Sequence, residues 1–144
     1  MEWIAEERRE VAGTWLEVRA GKIGEDLLVT VEGGDRPHIG CVVQAVPRPS
    51  LSGSGETSAT ASVLNLTGHK DEFLCRKFAQ MFCARLGVTV VCTGGVHIDQ
   101  ITVEQIREME EMAETLGQEL LHQLERIETE KHVSKKLYET CFFS

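Results

Sequence analysis

The segment that begins at Thr102 leaves the fold little freedom. Thr102-Val103-Glu104-Gln105 has the pattern of a capping box, in which the threonine hydroxyl and the glutamine side chain each satisfy a backbone amide of the other residue. A helix therefore starts there, and its apolar residues Ile106, Met109, Ala113, Leu116, Leu120, Leu124 and Ile127 recur every three or four positions. So long a stripe needs something to cover. Either its first half lies on a sheet while the rest projects or frays near Gly117, or the stripe outruns a small sheet and meets a second copy.

The sheet is legible upstream. Apolar and polar residues alternate roughly from Val11 to Ala20 and from Asp26 to Glu32, which is the period of a half-buried strand. Gly21 to Gly24 permits a bend between them, so the two strands pair antiparallel, and Gly33-Gly34-Asp35 offers a tight reversal. A third strand, residues 39–46, should end where Pro47 and Pro49 remove backbone donors, and the small-residue run 50–58 forms a loop. Residues 60–66 make a fourth strand. From Asp71 to Gly87 the spacing of Leu74, Cys75, Phe78, Ala79, Phe82 and Leu86 predicts a helix, with glycine as its stop. The β-branched run 88–92, interrupted by Thr93-Gly94-Gly95 before Val96 to Asp99, reads as a fifth strand with a bend or bulge. This order predicts an α+β fold with a largely antiparallel sheet of five to six strands and helices on one face. One domain, residues 10–130, fits the length, with loosely packed ends at 1–9 and 131–144.

Charge excludes a broad class of partners. The net charge is −8, and residues 102–130 alone hold nine acids against two bases. A nucleic-acid binder needs a wide basic face to displace counterions, and this chain has none. No run approaches the roughly 20 apolar residues that span a bilayer, and the polar N-terminus lacks the core of a secretory signal, so a cytoplasmic, membrane-free protein is expected. Five cysteines, with no C-x-x-C pair, predict reduced thiols used mainly as small core side chains.

Against this acidity, the stretch from Arg36 to Lys70 holds three strong bases, Arg36, Arg48 and Lys70, two histidines, His38 and His69, and one acid, Glu56. Arginine offers a planar fork and lysine a point charge to an anion, with hydroxyls such as Ser50 and Ser58 completing the shell. The loop is neither a P-loop nor a dinucleotide turn. In an antiparallel meander the loop before strand three and the loop after strand four share one end of the sheet, while Arg48 and Ser50 start from the other. A single site holding all of them then needs a folded-back loop or a second subunit. His97 and Asp99 share a strand face by their two-residue spacing, so that the carboxylate can orient the imidazole, and the pair is able to act as a general base or to bind a metal with His38 or His69. The chain has no zincin helix pair, no G-x-S-x-G elbow and no orienting partner for a Cys41 nucleophile, so no catalytic residue is assigned.

Taken in order, Asp26-Leu27-Leu28-Val29-Thr30, Gly33-Gly34-Asp35-Arg36-Pro37-His38-Ile39-Gly40, Pro47-Arg48-Pro49-Ser50, Thr57-Ser58-Ala59-Thr60, Gly68-His69-Lys70-Asp71 and Val96-His97-Ile98-Asp99 resemble the prenylated-flavin chaperone LpdD family over about residues 10 to 115. The resemblance implies a homodimer with a fold similar to proteasome assembly chaperones. It also implies a role beside UbiD-type decarboxylases, in which reduced prenylated FMN is bound as transient cargo and delivered to the apo-enzyme. On that footing Arg36, Arg48 and Lys70 are expected at the phosphate with Ser50 and Ser58, and His38, His69, His97 and Asp99 at ring or ribityl groups. Nothing in the residues supports autonomous decarboxylation. Two alternatives stand beside the carrier: a protein-assembly chaperone without a flavin, and a small enzyme using His97 and Asp99.

Overall fold

The computed structural model describes residues 1–65 and 71–143. Its elements run β1 (Trp3–Val11), β2 (Thr14–Ile23), β3 (Asp26–Gly34), β4 (Cys41–Pro49), β5 (Thr57–Asn65), α1 (Glu72–Leu86), β6 (Val90–His97) and α2 (Val103–Phe143). The strands form one sheet in the order β1-β2-β3-β6-β4-β5, antiparallel except for the parallel pair β3 and β6. The fold is the α+β class expected, and among the described residues no helix is long and apolar enough to cross a membrane.

Register explains which face is buried. Ala20, Val29, Cys92, Val43 and Val63 stand in one row across the sheet, and the first four of them are fully buried under the helices. Helix α1 adds Cys75, Phe78, Ala79 and Phe82 to that core, and α2 adds Met109, Ala113, Leu116, Leu120 and Leu124. The next row, Arg19, Thr30, Thr93, Val42 and Leu64, lies on the opposite face, because successive strand residues point to opposite sides. Both helices therefore cover one side of the sheet.

Several expectations need correction. Residues 1–9 are not a loose end, since β1 occupies Trp3–Val11 and pairs along β2. The strand read as starting at Val11 is instead broken there by a turn at Ala12 and Gly13, both with positive φ (56° and 76°), which turns β1 back along β2. Gly33 and Gly34 are not a reversal either; they belong to β3 and pair with Val96 and His97 of β6. Strand β4 does not stop before Pro47. It continues to Pro49 because β6 reaches only to Val90, opposite Ala45, so both prolines sit where β4 has a neighbour on one side only.

Helix α2 settles how the long stripe is used. The capping box forms as expected, with the Gln105 amide donating to Thr102 Oγ1 (3.1 Å) and the Thr102 amide to Gln105 Oε1 (3.0 Å). Gly117 is no break, since it is buried where the helix crosses α1 and a Cβ there would lie 3.0 Å from Phe78. The stripe covers the sheet as far as Leu124. From residue 131 the chain remains helical, yet its side chains through Cys141 are exposed.

Thr102→Ala removes the hydroxyl that serves the Gln105 amide, and by the usual worth of such caps it costs about 1 kcal/mol. A lower urea midpoint with an unchanged slope checks this.

Candidate functional site

Strand β6 lies between β3 and β4, so the chain leaving Gly34 must pass over the end of β6 to begin β4 at Cys41. That strap is residues 35–40, and backbone bonds fix it. The Asp35 and Arg36 amides donate to the His97 carbonyl (2.6 and 3.3 Å), and the Gly40 amide donates to Gly94 O (3.0 Å). The Asp99 amide in turn donates to Asp35 Oδ2 (2.9 Å), joining the strap to the turn that follows β6.

On this frame the side chains meet in an ordered way. His38 donates from Nδ1 to the Arg36 carbonyl (3.0 Å), and its Nε2 faces Asp71 Oδ2 at 2.9 Å. Asp71 is buried, and its other oxygen accepts the Val96 amide (2.9 Å). The slot holding this pair has glycine walls: a Cβ on Gly40 would come within 2.1 Å of Asp71 Oδ2, and one on Gly95 within 2.8 Å of both Asp71 Oδ2 and His38 Nε2. Above it, the Arg36 guanidinium donates from Nη2 to Asp99 Oδ1 (2.9 Å), which also meets His97 Nε2 at 3.0 Å. The His97 bond, and then Arg36, hold the Asp99 carboxyl below its ordinary range. The Arg36 side chain is 71% exposed, so a guanidinium with an anchored backbone faces solvent.

Three thiols adjoin the slot. Cys41 follows Gly40, the Cys75 amide donates to the Asp71 carbonyl, and Cys92 lies in β6, all three buried. Burial pushes the Cys41 thiol up to about 12 and the Cys92 thiol well above its usual value, which keeps both protonated and unreactive.

The structure divides the residues singled out from sequence. Arg36, His38, His97 and Asp99 gather at one end of the sheet. Arg48, Ser50 and Ser58 lie at the other, since β4 carries Arg48 seven residues beyond Cys41, about 23 Å at the usual strand rise. There Arg48 donates to Thr60 Oγ1 (2.9 Å) and the Pro49 carbonyl (3.2 Å), while the hydroxyls of Ser50, Ser52 and Ser54 bond in series. The separation expected of a meander thus holds, although β6 interrupts the meander. His69 and Lys70 lie outside the described residues. His97 and Asp99 do not share a strand face as expected: β6 ends at His97, and Asp99 reaches the ring from the following turn.

Sequence reading missed Asp71, Asp35, Gly40 and Gly95. In the sequence Asp71 signals only the start of a helix, and the glycines carry no chemistry until the pair they enclose is seen.

Comparison with known proteins identifies the family. A family model described as the prenylated flavin chaperone LpdD-like domain matches residues 10–125. The chain belongs to that family. It is 30% identical over 125 residues to Protein LpdD of Lactiplantibacillus plantarum, an alignment covering 81% of this chain and 82% of the relative. Among solved structures, a chain of a chaperone complex for yeast 20S proteasome assembly superposes with a TM-score of 0.48 at 13% identity, over 83% of this chain and 98% of the other. Within the LpdD-like domain the matched residues include the whole strap and both His–Asp pairs.

A depressed Asp99 carboxyl contributes stability above the unfolded carboxylate pKa, near 3.9, and that contribution is lost as pH falls through the folded value. The urea midpoints of wild type and Asp99→Asn are therefore expected to differ near neutrality and converge in acid, as denaturation series from pH 2 to 7 will show.

Proposed function

We propose that this chaperone binds reduced prenylated FMN as transient cargo in the cytoplasm and delivers it to an apo UbiD-type decarboxylase, with no chemistry of its own. The observation that carries the reading is Arg36: an exposed guanidinium in an acidic protein, with its backbone fixed from both sides and its tip paired only at the surface. A phosphate dianion can take the place of the Asp99 carboxylate on the guanidinium fork, and charge-assisted bonds of that kind are strong. Lys70 and His69, which precede Asp71 in sequence, are assigned to the same set, and His38, His97 and Asp99 to the polar edge of the ribityl chain or ring. An open surface suits a carrier that must give its cargo up. Arg48, Ser50 and Ser58 are too distant to share one phosphate with Arg36 within a single copy.

A homodimer is part of this reading. The sheet face turned away from the helices carries Leu28, Val42 and Val91, half-buried, with Val46 and Leu64 exposed at 46% and 74%. A second copy laid against that face removes the apolar row from water. Leu64→Asp is then expected to shift the protein from dimer to monomer in sedimentation velocity.

Anaerobic titration of the full chain with reduced prenylated FMN tests the carrier. Arg36→Ala is expected to weaken binding by about tenfold or more, the loss of a hydrogen bond to a charged group, and Arg48→Ala to leave it unchanged. Equal binding by wild type and Arg36→Ala contradicts the proposed phosphate site.

A further inference from the structure

Asp71 does not cap the helix it precedes. A capping aspartate holds extended backbone and turns its carboxylate onto the first amides of the helix. Asp71 already has helical dihedrals, φ −74° and ψ −11°, and its side chain makes no capping hydrogen bond. Its oxygens are spent elsewhere, Oδ1 on the Val96 amide of β6 and Oδ2 on His38. A carboxylate buried with its partner between two glycines, and bonded to β6 and the strap rather than to its own helix, is held there by something other than helix formation.

What it reaches is Arg36. His38 Nδ1 binds the Arg36 carbonyl, while the Arg36 amide is bound to the His97 carbonyl, so the peptide units on both sides of this residue are pinned. The guanidinium stands on a loop, and a loop residue contacts an anion well only when its backbone is fixed to within a fraction of an ångström. Resting on the carrier reading above, we infer that Asp71 is the positioning residue of the phosphate subsite: acting through His38, it sets the place of Arg36 without touching the cargo.

The inference separates from a merely structural role because it concerns one end of the ligand. The probes are reduced prenylated FMN and the same reduced flavin lacking its phosphate, titrated anaerobically against the full chain. Asp71→Ala is expected to lower affinity for the phosphorylated form about tenfold, close to the effect of Arg36→Ala, and affinity for the dephosphorylated form by much less. Asp71→Asn is expected to restore the preference, since its carbonyl oxygen accepts the Val96 amide and its NH2 donates to His38 Nε2. The double variant Arg36→Ala with Asp71→Ala should lose no more than Arg36→Ala alone, because both act on one contact. Should Asp71→Ala fail to fold by circular dichroism, Asp71→Ser, whose shorter side chain does not reach His38, carries the test with the same expected loss. Equal losses for both flavins, or additive losses in the double variant, overturn the inference while leaving the carrier reading intact. Absence of any flavin binding by the wild type overturns both.

Discussion

The parallel pairing of β3 with β6 is the constraint from which the remainder of the structure follows. Two hairpins, β2 with β3 and β4 with β5, would close into a simple meander if β3 and β4 were neighbours. They are not, because β6 arrives last among the strands and occupies the position between them. The segment from Gly34 to Cys41 must then pass over the C-terminal end of β6. That passage places Arg36 and His38 beside His97 and Asp99, residues about 60 positions later in the chain. The site is a consequence of strand order rather than of any local motif.

The same insertion organises the core. A parallel neighbour requires a crossover, and α1 supplies it, packing Phe78 and Phe82 against the central strands. Its start must stand at the end of β6 where the strap crosses, so Asp71 comes within reach of both Val96 and His38. Helix α2 then covers β1 and β2 on the same face, where its leucines meet Leu16, Val18 and Ala20. Opposite charges line its edges: Arg9 pairs with Glu119 at 2.7 Å and Lys22 with Glu128 at 2.6 Å. Nine of the chain's acids, residues 102–130, therefore belong to one structural helix and the turn that starts it.

Local signals were legible and long-range ones were not. The capping box at Thr102 and the stop at Gly87 depend on neighbours within a few residues, and both appear where the sequence placed them, while the alternation marks β2 and β3 but not their ends. The pairing of β6 with β3 joins residues such as Val29 and Cys92, and no spacing rule connects them. The turn at Ala12 was hidden because one of its two positive-φ positions is alanine, whereas such turns are recognised by glycine and asparagine. Half of the site was visible as an excess of bases and histidines between residues 36 and 70. The Asp71 role was invisible because an aspartate before an apolar stripe is an ordinary way to begin a helix, and only its burial against His38 reveals the other use.

On the proposed reading, the cargo's phosphate binds at the strap over β6, beside a guanidinium prepared by two His–Asp pairs. Backbone amide shifts recorded during an anaerobic titration of the full chain with reduced prenylated FMN test that placement most directly. Saturable changes concentrated at residues 34–40 and 95–99, with residues 48–58 undisturbed, are the predicted result. No saturable change, or changes confined to the Arg48 end of the sheet, would contradict it.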